Sequence, residues 1–507
     1  MMKPAQDQAA IKLSALFNGI VEITTCAECS VHAVQTDSRE LAAGDLFIAL
    51  PGVDKHGLDY LNAVLEAGAA CIVFDQEDAK NYQQVLHACE QQIRQVAVEA
   101  IADVAGVIIS RFYGNPSQQL QIIAVTGTDG KTSVSRFIAQ ALSAEISTAV
   151  IGTTGNGLWG QLTAATHTTP DVLSLHKMIY EMKQAGADCV VMEVSSHGIE
   201  QKRIAGVNID TAILTNVSRD HLDYHGSVEN YRAVKKQLFS ISEVKNIVLN
   251  LDDEVGRELA ESLKDEKTIW TYSLQQAEPV CDKQIYLRDL QVKENGFMAS
   301  VVTPEGQVEL NIPLLGRFNV ANVLALLCVL LINKFSLQQA QKKIAELETA
   351  PGRMELFDGA EKSKIVVDYA HTPKALELAL QALAEHSAGK LWCVFGCGGE
   401  RDQGKRALMG AVAEKYADVV IVTDDNPRNE DSDHIIEQVL SGFQKRDAAM
   451  VIKDRKAAID YAFLTAANDD VILVAGKGHE EYQLVGNKKI AHSDRGMALR
   501  LSNGGSL

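Results

Sequence analysis

Four stretches of this chain combine residue types that can do chemistry. The first, "GTDGKTS" (Gly127 to Ser133), lies between an apolar run and an amphipathic one. Backbone N–H groups of such a glycine loop, with the start of the following helix, form a cradle for phosphate oxygens. Lys131 then reaches the outer phosphates and the Thr132 hydroxyl touches magnesium. Val125 stands where the strict phosphate-loop pattern has its first glycine, so the motif is a relaxed version and a plain glycine turn is its alternative. The second stretch, "VVMEVSSHG", ends an apolar run in Glu193, placed to help hold the same magnesium. The third, "HLDYH", spaces His221 and His225 as a helical zinc pair would, but it lacks the glutamate of the zinc-protease motif and has Asp220 and Asp223 around it. Oxygen-rich surroundings suit the harder magnesium ion better. The fourth, "TDDNPRNE" (Thr423 to Glu430), is either a turn rich in turn formers or a cluster of carboxylates, an amide and a guanidinium.

These groups need a scaffold that aims them. "LQIIAVTGTDGKTSVSRFIAQAL" reads as strand, loop and helix, and "CVVMEVSS" and "TAILTNVSRD" read as further strands that end in polar residues. Later come the hairpin-like "YLRDLQV" and "FMASVVTPEGQVELNI". Four more strand-like runs follow: "KIVVDYAH", "LWCVFGCGG", "DVVIVTDDN" and "DVILVAGKGHE". Apolar strands alternating with helices imply parallel sheets, whose ligands sit at the carboxyl ends of strands. An α/β fold is therefore predicted, with two or three such sheets. Two stretches read as joints, "RFYGNPSQQ" and "ETAPGRME". They cut the chain into residues 1–116, 117–349 and 350–507, in keeping with a chain of 507 residues.

The totals exclude several classes. A net charge of −18 argues against broad binding to nucleic acid or anionic membranes. The N-terminus has no apolar core of signal-peptide type. The longest apolar run, "VLALLCVLLI", is about half the length a membrane span needs, so it is expected to be a buried helix. Among nine cysteines, "CAEC" (Cys26, Cys29) lacks the second pair of a structural zinc site, and "CVFGC" holds Cys393 and Cys397. Reduced thiols in a cytoplasmic protein are the expectation.

Taken together and in order, "GTDGKT", "MEVSSHG", "TNVSRDHLDYHG", "YRAVKKQLF", "GRFNVANVLAL", "PGRMELF", "DYAHTP", "GCGGERD", "DDNPR" and "AGKGHE" resemble the Mur ligases of peptidoglycan synthesis. The likeness runs from "DSRELAAGDLF" to "GKGHEEYQ". It implies an N-terminal UDP-substrate domain, a central phosphate-loop ATPase sheet and a C-terminal Rossmann-like sheet that binds an amino acid. It also implies ATP-dependent amide formation through an acyl phosphate, with magnesium, by a cytoplasmic monomer. Within the family the motifs look most like the branch that adds meso-diaminopimelate to UDP-N-acetylmuramoyl-L-alanyl-D-glutamate.

Carried over residue by residue, the resemblance gives the nucleotide Gly127, Thr128, Asp129, Gly130, Lys131, Thr132 and Ser133, with Asn322, Arg353 and Asp368. For the last three, capping or salt-bridge roles stay open. Thr132 and Glu193 would serve a first magnesium, and His221 and Lys235 a second. Lys235 falls where the family has a lysine carbamylated by carbon dioxide, with Lys236 one residue away. The UDP-linked substrate takes Thr36 and Ser38, the loop residues Val53, Asp54 and Lys55, then His167, Thr168, Thr169, Ser195, Gln201 and Arg203. A guanidinium at Arg203 suits a bidentate carboxylate. The amino-acid pocket is Arg401, Asp425, Asn426, Pro427, Arg428, Gly476 and Glu480. Asp129 stands where asparagine is commoner, His167 replaces an asparagine, and Pro170 a glycine.

The rivals are a sister ligase using L-lysine or another amino acid, a folate polyglutamylating ligase lacking the "DNPR" and "GKGHE" pocket, and a non-catalytic nucleotide-binding or scaffolding relative that would have lost Lys131, Glu193, His221 or Lys235.

Overall fold

The predicted strands form where apolar residues run without a break, and period-two alternation sends them to both faces of each sheet. In the computed structural model, Leu46 and Ile48 of the strand Leu46–Ala49 enter one core, whereas Phe47 and Ala49 enter another. Cys71 and Val73 part from Ile72 and Phe74 in the same way. The structure describes residues 10–23, 28–52, 55–276, 280–359 and 363–503. The chain gathers into two compact units, Met1–Thr271 and Tyr272–Leu507.

The first unit opens with a small parallel sheet in the order Val34–Gln35, Leu46–Ala49, Cys71–Asp75, Arg94–Val98. Helix Ile101–Phe112 covers one face through Ile101, Ala105, Ile108, Ile109 and Phe112. A larger parallel sheet follows, in the order Asn246–Asn250, Thr211–Leu214, Gln121–Thr126, Cys189–Glu193, Thr148–Gly152, with antiparallel Gly155–Leu158 at its edge. From Gln121–Thr126 the chain crosses over helix Lys131–Leu142 to Thr148–Gly152, leaving a gap that Cys189–Glu193 fills. The glycine loop and Glu193 therefore leave neighbouring strands at the same sheet end, where such sheets hold their ligands.

In the second unit the expected hairpins are the antiparallel strands Gln284–Lys293, Gly296–Thr303 and Gly306–Ile312. The apolar run lies in helix Arg317–Ile332, buried from Val323 to Leu331. Among the described residues no helix is long and apolar enough to cross a membrane. A six-stranded sheet completes the unit, in the order Glu355–Phe357, Lys364–Asp368, Val471–Ala475, Leu391–Phe395, Val419–Val422, Ala449–Val451. All its pairs are parallel except the first. The four predicted strands form its middle, and the two short edge strands carry no sequence signal of their own. Leu391, Cys393 and Phe395 enter one core and Trp392 and Val394 the other, so both faces are dry. Each such buried Val, Leu or Phe stabilises by roughly 1.5–3 kcal/mol.

Candidate active site

The glycine loop is stitched to the next strand end rather than left free. The Thr128 N–H donates to Asn216 O at 2.8 Å and the Asp129 N–H to Asn216 Oδ1 at 3.0 Å. Thr215 Oγ1 donates to Asp129 O at 2.6 Å. Thr215 and Asn216 thus leave the sheet after Leu214 to brace the loop. A Cβ on Gly127 would sit 1.9 Å from Thr215 Oγ1, so any side chain there displaces the threonine that braces the loop. Gly130, at φ 82°, turns the chain into helix Lys131–Leu142, which no side chain caps. An uncapped start is what a helix needs to offer its N–H groups to phosphate oxygens. Lys131 Nζ rests on Gly127 O and Thr128 O at 2.9 and 2.8 Å. The unusual Asp129 carboxylate is exposed.

Glu193 is almost wholly buried. Its Oε2 accepts from Thr132 Oγ1 at 2.9 Å and Thr153 Oγ1 at 3.1 Å, and its Oε1 from the Thr153 N–H at 2.9 Å. Burial raises its pKa, opposed by the Lys131 ammonium and by the Thr153 and Thr132 hydrogen bonds. Thr153, in the "GTTG" after its own strand, escaped the sequence reading. The carboxylate and the Thr132 hydroxyl form a hard-oxygen pair beside the cradle, which fits magnesium.

Lys235, on helix Val228–Lys236, is 1 % exposed. Its Nζ donates to Gly127 O at 2.8 Å and lies 4.8 Å from the Tyr231 ring centroid, and among the described residues no carboxylate pairs with it. Burial, then the Lys131 charge, holds its pKa well below the usual lysine value. Adjacent Lys236 points outward to Glu258. His221, at φ 50°, has its ring 6.3 Å from the same Tyr231 and Nε2 3.4 Å from Asp220 Oδ2. His225 turns away, with Nε2 2.9 Å from Ser196 Oγ and Nδ1 3.1 Å from Glu200 Oε2. Among the described residues no group of three His, Cys, Asp or Glu side chains gathers as a metal cluster.

The substrate candidates form two groups. Thr36, Ser38 and Lys55 line a cleft of about 1160 Å³ together with Asp171, Ser174 and Lys177, which sequence reading missed. Val53 and Asp54 lie outside the described residues, as does Cys26. The second group is a hydrogen-bonded chain. Thr169 Oγ1 donates to Glu193 O and accepts from the Ser195 N–H, both at 2.9 Å, and Arg203 Nη1 donates to Thr169 O at 2.7 Å. Arg203 Nε and Nη2 also hold Gln201 Oε1 at 3.0 and 2.6 Å. Thr168 Oγ1 meets Thr153 Oγ1 at 3.1 Å, and the exposed His167 meets Thr166 at 3.2 Å.

In the second unit, three strand ends deliver the other cluster. Asn426 Oδ1 accepts from Lys477 Nζ at 3.1 Å and the Leu484 N–H at 2.8 Å, while its Nδ2 donates to Glu480 Oε2 at 2.9 Å. Arg428 has φ 54°, held by its N–H on Leu484 O at 2.9 Å and its carbonyl under the Gly486 N–H at 2.7 Å. Its Nη1 touches Gly399 O at 2.8 Å, and among the described residues no carboxylate pairs with the guanidinium. Pro427 closes the turn, its carbonyl accepting from the Glu430 N–H at 3.1 Å. The carboxylate of Asp425 is buried, without a hydrogen-bond partner among the described residues, and burial raises its pKa. A Cβ on Gly476 would lie 2.6 Å from Asp425 Oδ2.

Buried ion pairs that the sequence did not disclose hold these loops. Arg406 grips Glu430 at 2.6 and 2.7 Å and Gly398 O at 3.0 Å. Arg455 grips Asp494 at 2.9 and 2.7 Å and Ala475 O at 2.9 Å. Arg401 is exposed. Arg353 stacks 4.9 Å from the Tyr369 ring, and Asn322 Nδ2 donates to Asn319 Oδ1 at 3.1 Å. Asp368 spends both oxygens on backbone, the Met354 N–H at 2.7 Å and the Ala370 N–H at 2.8 Å.

Comparison with known proteins agrees with this fold. The Mur ligase family, catalytic domain, matches residues 30–113, the Mur ligase middle domain residues 125–330, and the Mur ligase, glutamate ligase domain residues 352–478. The UDP-N-acetylmuramoyl-L-alanyl-D-glutamate–2,6-diaminopimelate ligase of Chromobacterium violaceum is 45% identical, covering 92% of both chains. That of Coxiella burnetii is 42% identical over 92% of this chain and 95% of its own. A solved structure of a ligase so named superposes with TM-score 0.75 at 34% identity, over 97% of this chain and 99% of that one. A folylpolyglutamate synthase of Mycobacterium tuberculosis shares the fold alone, with TM-score 0.59 at 19% identity over 78% of this chain and 96% of its own. The chain belongs to the Mur ligase family.

Proposed function

We propose that this chain is the ATP-dependent ligase that joins meso-diaminopimelate to the D-glutamate of UDP-N-acetylmuramoyl-L-alanyl-D-glutamate. The observation that carries the reading is the pair of unspent charges in the second unit. Arg428 has no carboxylate partner among the described residues and Asp425 has no hydrogen-bond partner there, while Arg406 is paired with Glu430 and Arg455 with Asp494. Diaminopimelate differs from lysine by a second carboxylate beside its far ammonium. A guanidinium for the one and carboxylate oxygens for the other suit that end, and lysine would leave Arg428 unpaired at a cost of several kcal/mol.

The substrate carboxylate attacks the γ-phosphate, ADP leaves, and the amine of diaminopimelate displaces phosphate from the acyl phosphate. The difficulty is bringing two anions together. Lys131 supplies one cation, already resting on the loop that would hold the phosphates. Thr132 and Glu193 offer the oxygens for a first magnesium, and His221 with a carbamylated Lys235 would serve a second. Magnesium there would neutralise phosphate charge as the carboxylate approaches. Arg203 and Gln201 suit the peptide carboxylate, and Thr36, Ser38 and Lys55 the UDP end. Residues 1–116, 117–349 and 350–507 are assigned to the UDP substrate, ATP and the amino acid, in a cytoplasmic monomer.

The test is phosphate release by the purified protein with ATP, magnesium and the UDP-linked dipeptide, one amino acid at a time. Release with diaminopimelate and not with lysine is expected; the reverse would make the chain a lysine-adding sister. Stripping bicarbonate is expected to lower the rate and restoring it to recover it. Indifference to bicarbonate would remove the carbamate from Lys235.

A further inference from the structure

The "GKGHE" segment contains a charge that the proposed reaction does not use. Lys477 is wholly buried. A buried ammonium is tolerated only with strong partners. Its Nζ donates to Glu480 Oε2 at 2.6 Å and Asn426 Oδ1 at 3.1 Å. Gly476 at φ 115° and Gly478 at φ 52° flank it, turning the side chain inward where an L residue would be strained.

Three consequences follow from this geometry. The Asn426 carboxamide has one orientation, because its oxygen faces two donors, Lys477 and the Leu484 N–H, and its NH2 faces Glu480. Oε2 of Glu480 carries two hydrogen bonds, from Lys477 and Asn426, while its Oε1 has no partner among the described residues and the side chain is 24% exposed. Finally, the Lys477 ammonium serves both acids of the pocket: it is paired with Glu480 and, with Arg455, opposes the effect of burial on Asp425.

We infer that Lys477 is a positioning residue for the acceptor amino acid, locking Glu480 and Asn426 so that Glu480 Oε1 faces the far ammonium, and offsetting the acidic pair that would otherwise repel the far carboxylate. The inference rests on the diaminopimelate reading above. It makes Lys477 a determinant of selectivity as well as of affinity. Without its charge, Glu480 and Asp425 lose the ammonium beside them, and the pocket turns toward substrates bearing only an ammonium.

Phosphate release is measured for the full chain and for Lys477→Met, Glu480→Gln and the double variant. Lys477→Met is expected to raise KM for diaminopimelate roughly ten- to hundredfold, the worth of a charged hydrogen bond, with KM for ATP and the UDP-linked dipeptide unchanged. The preference for diaminopimelate over lysine falls with it. In the Glu480→Gln background the same substitution has a much smaller effect, since the partner is already gone. Equal effects in both backgrounds, or a joint rise of all three KM values, would overturn the inference and make Lys477 a stability residue. Should Lys477→Met not fold by thermal melt, Lys477→Gln, which keeps a donor, is measured in the same cycle. Wild-type protein silent with diaminopimelate overturns the substrate reading and this inference together; active wild type without coupling overturns only Lys477.

Discussion

The two candidate clusters solve opposite problems. The nucleotide cradle is built from backbone: a glycine loop pinned by Thr215 and Asn216, with Lys131 and Lys235 both resting on the Gly127 carbonyl. The amino-acid cluster is built from buried ion pairs, Arg406 with Glu430, Arg455 with Asp494 and Lys477 with Glu480. Phosphates look alike in every ATP user, so a cradle of N–H groups and cations suffices for them. One amino acid must be told from its near neighbours, which takes charges that stay fixed until the right partner arrives. Buried pairs hold the loops in place, and Arg428 and Asp425 are the groups proposed to select.

This contrast predicts different failures. Lys131→Ala should lower kcat by roughly 100- to 1000-fold whichever amino acid is offered, as loss of a group that stabilises developing phosphoryl charge does. Arg428→Ala should leave the KM for ATP alone, raise that for diaminopimelate by about 100-fold, and flatten the preference over lysine. Steady-state kinetics with both amino acids reads the two patterns. If Arg428→Ala left the diaminopimelate reaction intact, the division of labour drawn here would fail.

The same substitution made in both regions sharpens the comparison. A methyl group on Gly127 would meet Thr215 Oγ1 at 1.9 Å, and one on Gly476 would meet Asp425 Oδ2 at 2.6 Å. Gly127→Ala is expected to weaken ADP binding about tenfold, and Gly476→Ala to weaken diaminopimelate binding similarly, each by a displacement costing about 1–2 kcal/mol. Calorimetric titration of each variant with each ligand should show no crossover. A Gly476→Ala protein that lost ADP and kept diaminopimelate would contradict the assignment.

Much of this was legible in the sequence, for definite reasons. Fully buried parallel strands are continuous apolar runs, and the loops after them carry the polar residues, so the order of strand and candidate residue could be read directly. The register of Lys235 against Lys236 could not. Only the folded helix shows Lys235 turned to Gly127 and Lys236 to Glu258. The buried pairs were hidden because their partners are far apart in the chain, 39 residues for Arg455 and Asp494 and 24 for Arg406 and Glu430. Nothing local marks an arginine or lysine as interior. Asp368 shows another limit: its carboxylate accepts from the Met354 and Ala370 N–H groups, contacts that no local pattern announces.

The smallest expected effects concern acid, and they separate the regions by pH. In the first unit, burial pulls His176 from 6.5 down to about 4, with Nε2 2.8 Å from Ala205 O. A base whose folded pKa is depressed leaves stability intact above 6.5. It withdraws up to about 3 kcal/mol as pH falls toward 4, because the unfolded chain takes the proton first. In the second unit the two Arg406 hydrogen bonds, more than any other cause, pull Glu430 from 4.5 down to about 2. That carboxylate contributes its full stability above 4.5 and loses it between 4.5 and about 2. Hydrogen exchange followed peptide by peptide should therefore show residues of the first unit loosening at milder acidity than the loops around Glu430. His176→Gln, which keeps a donor for Ala205, should flatten the first response alone, and Glu430→Gln the second alone. A single acid transition common to both units and untouched by either variant would mean that neither group sets the acid limit.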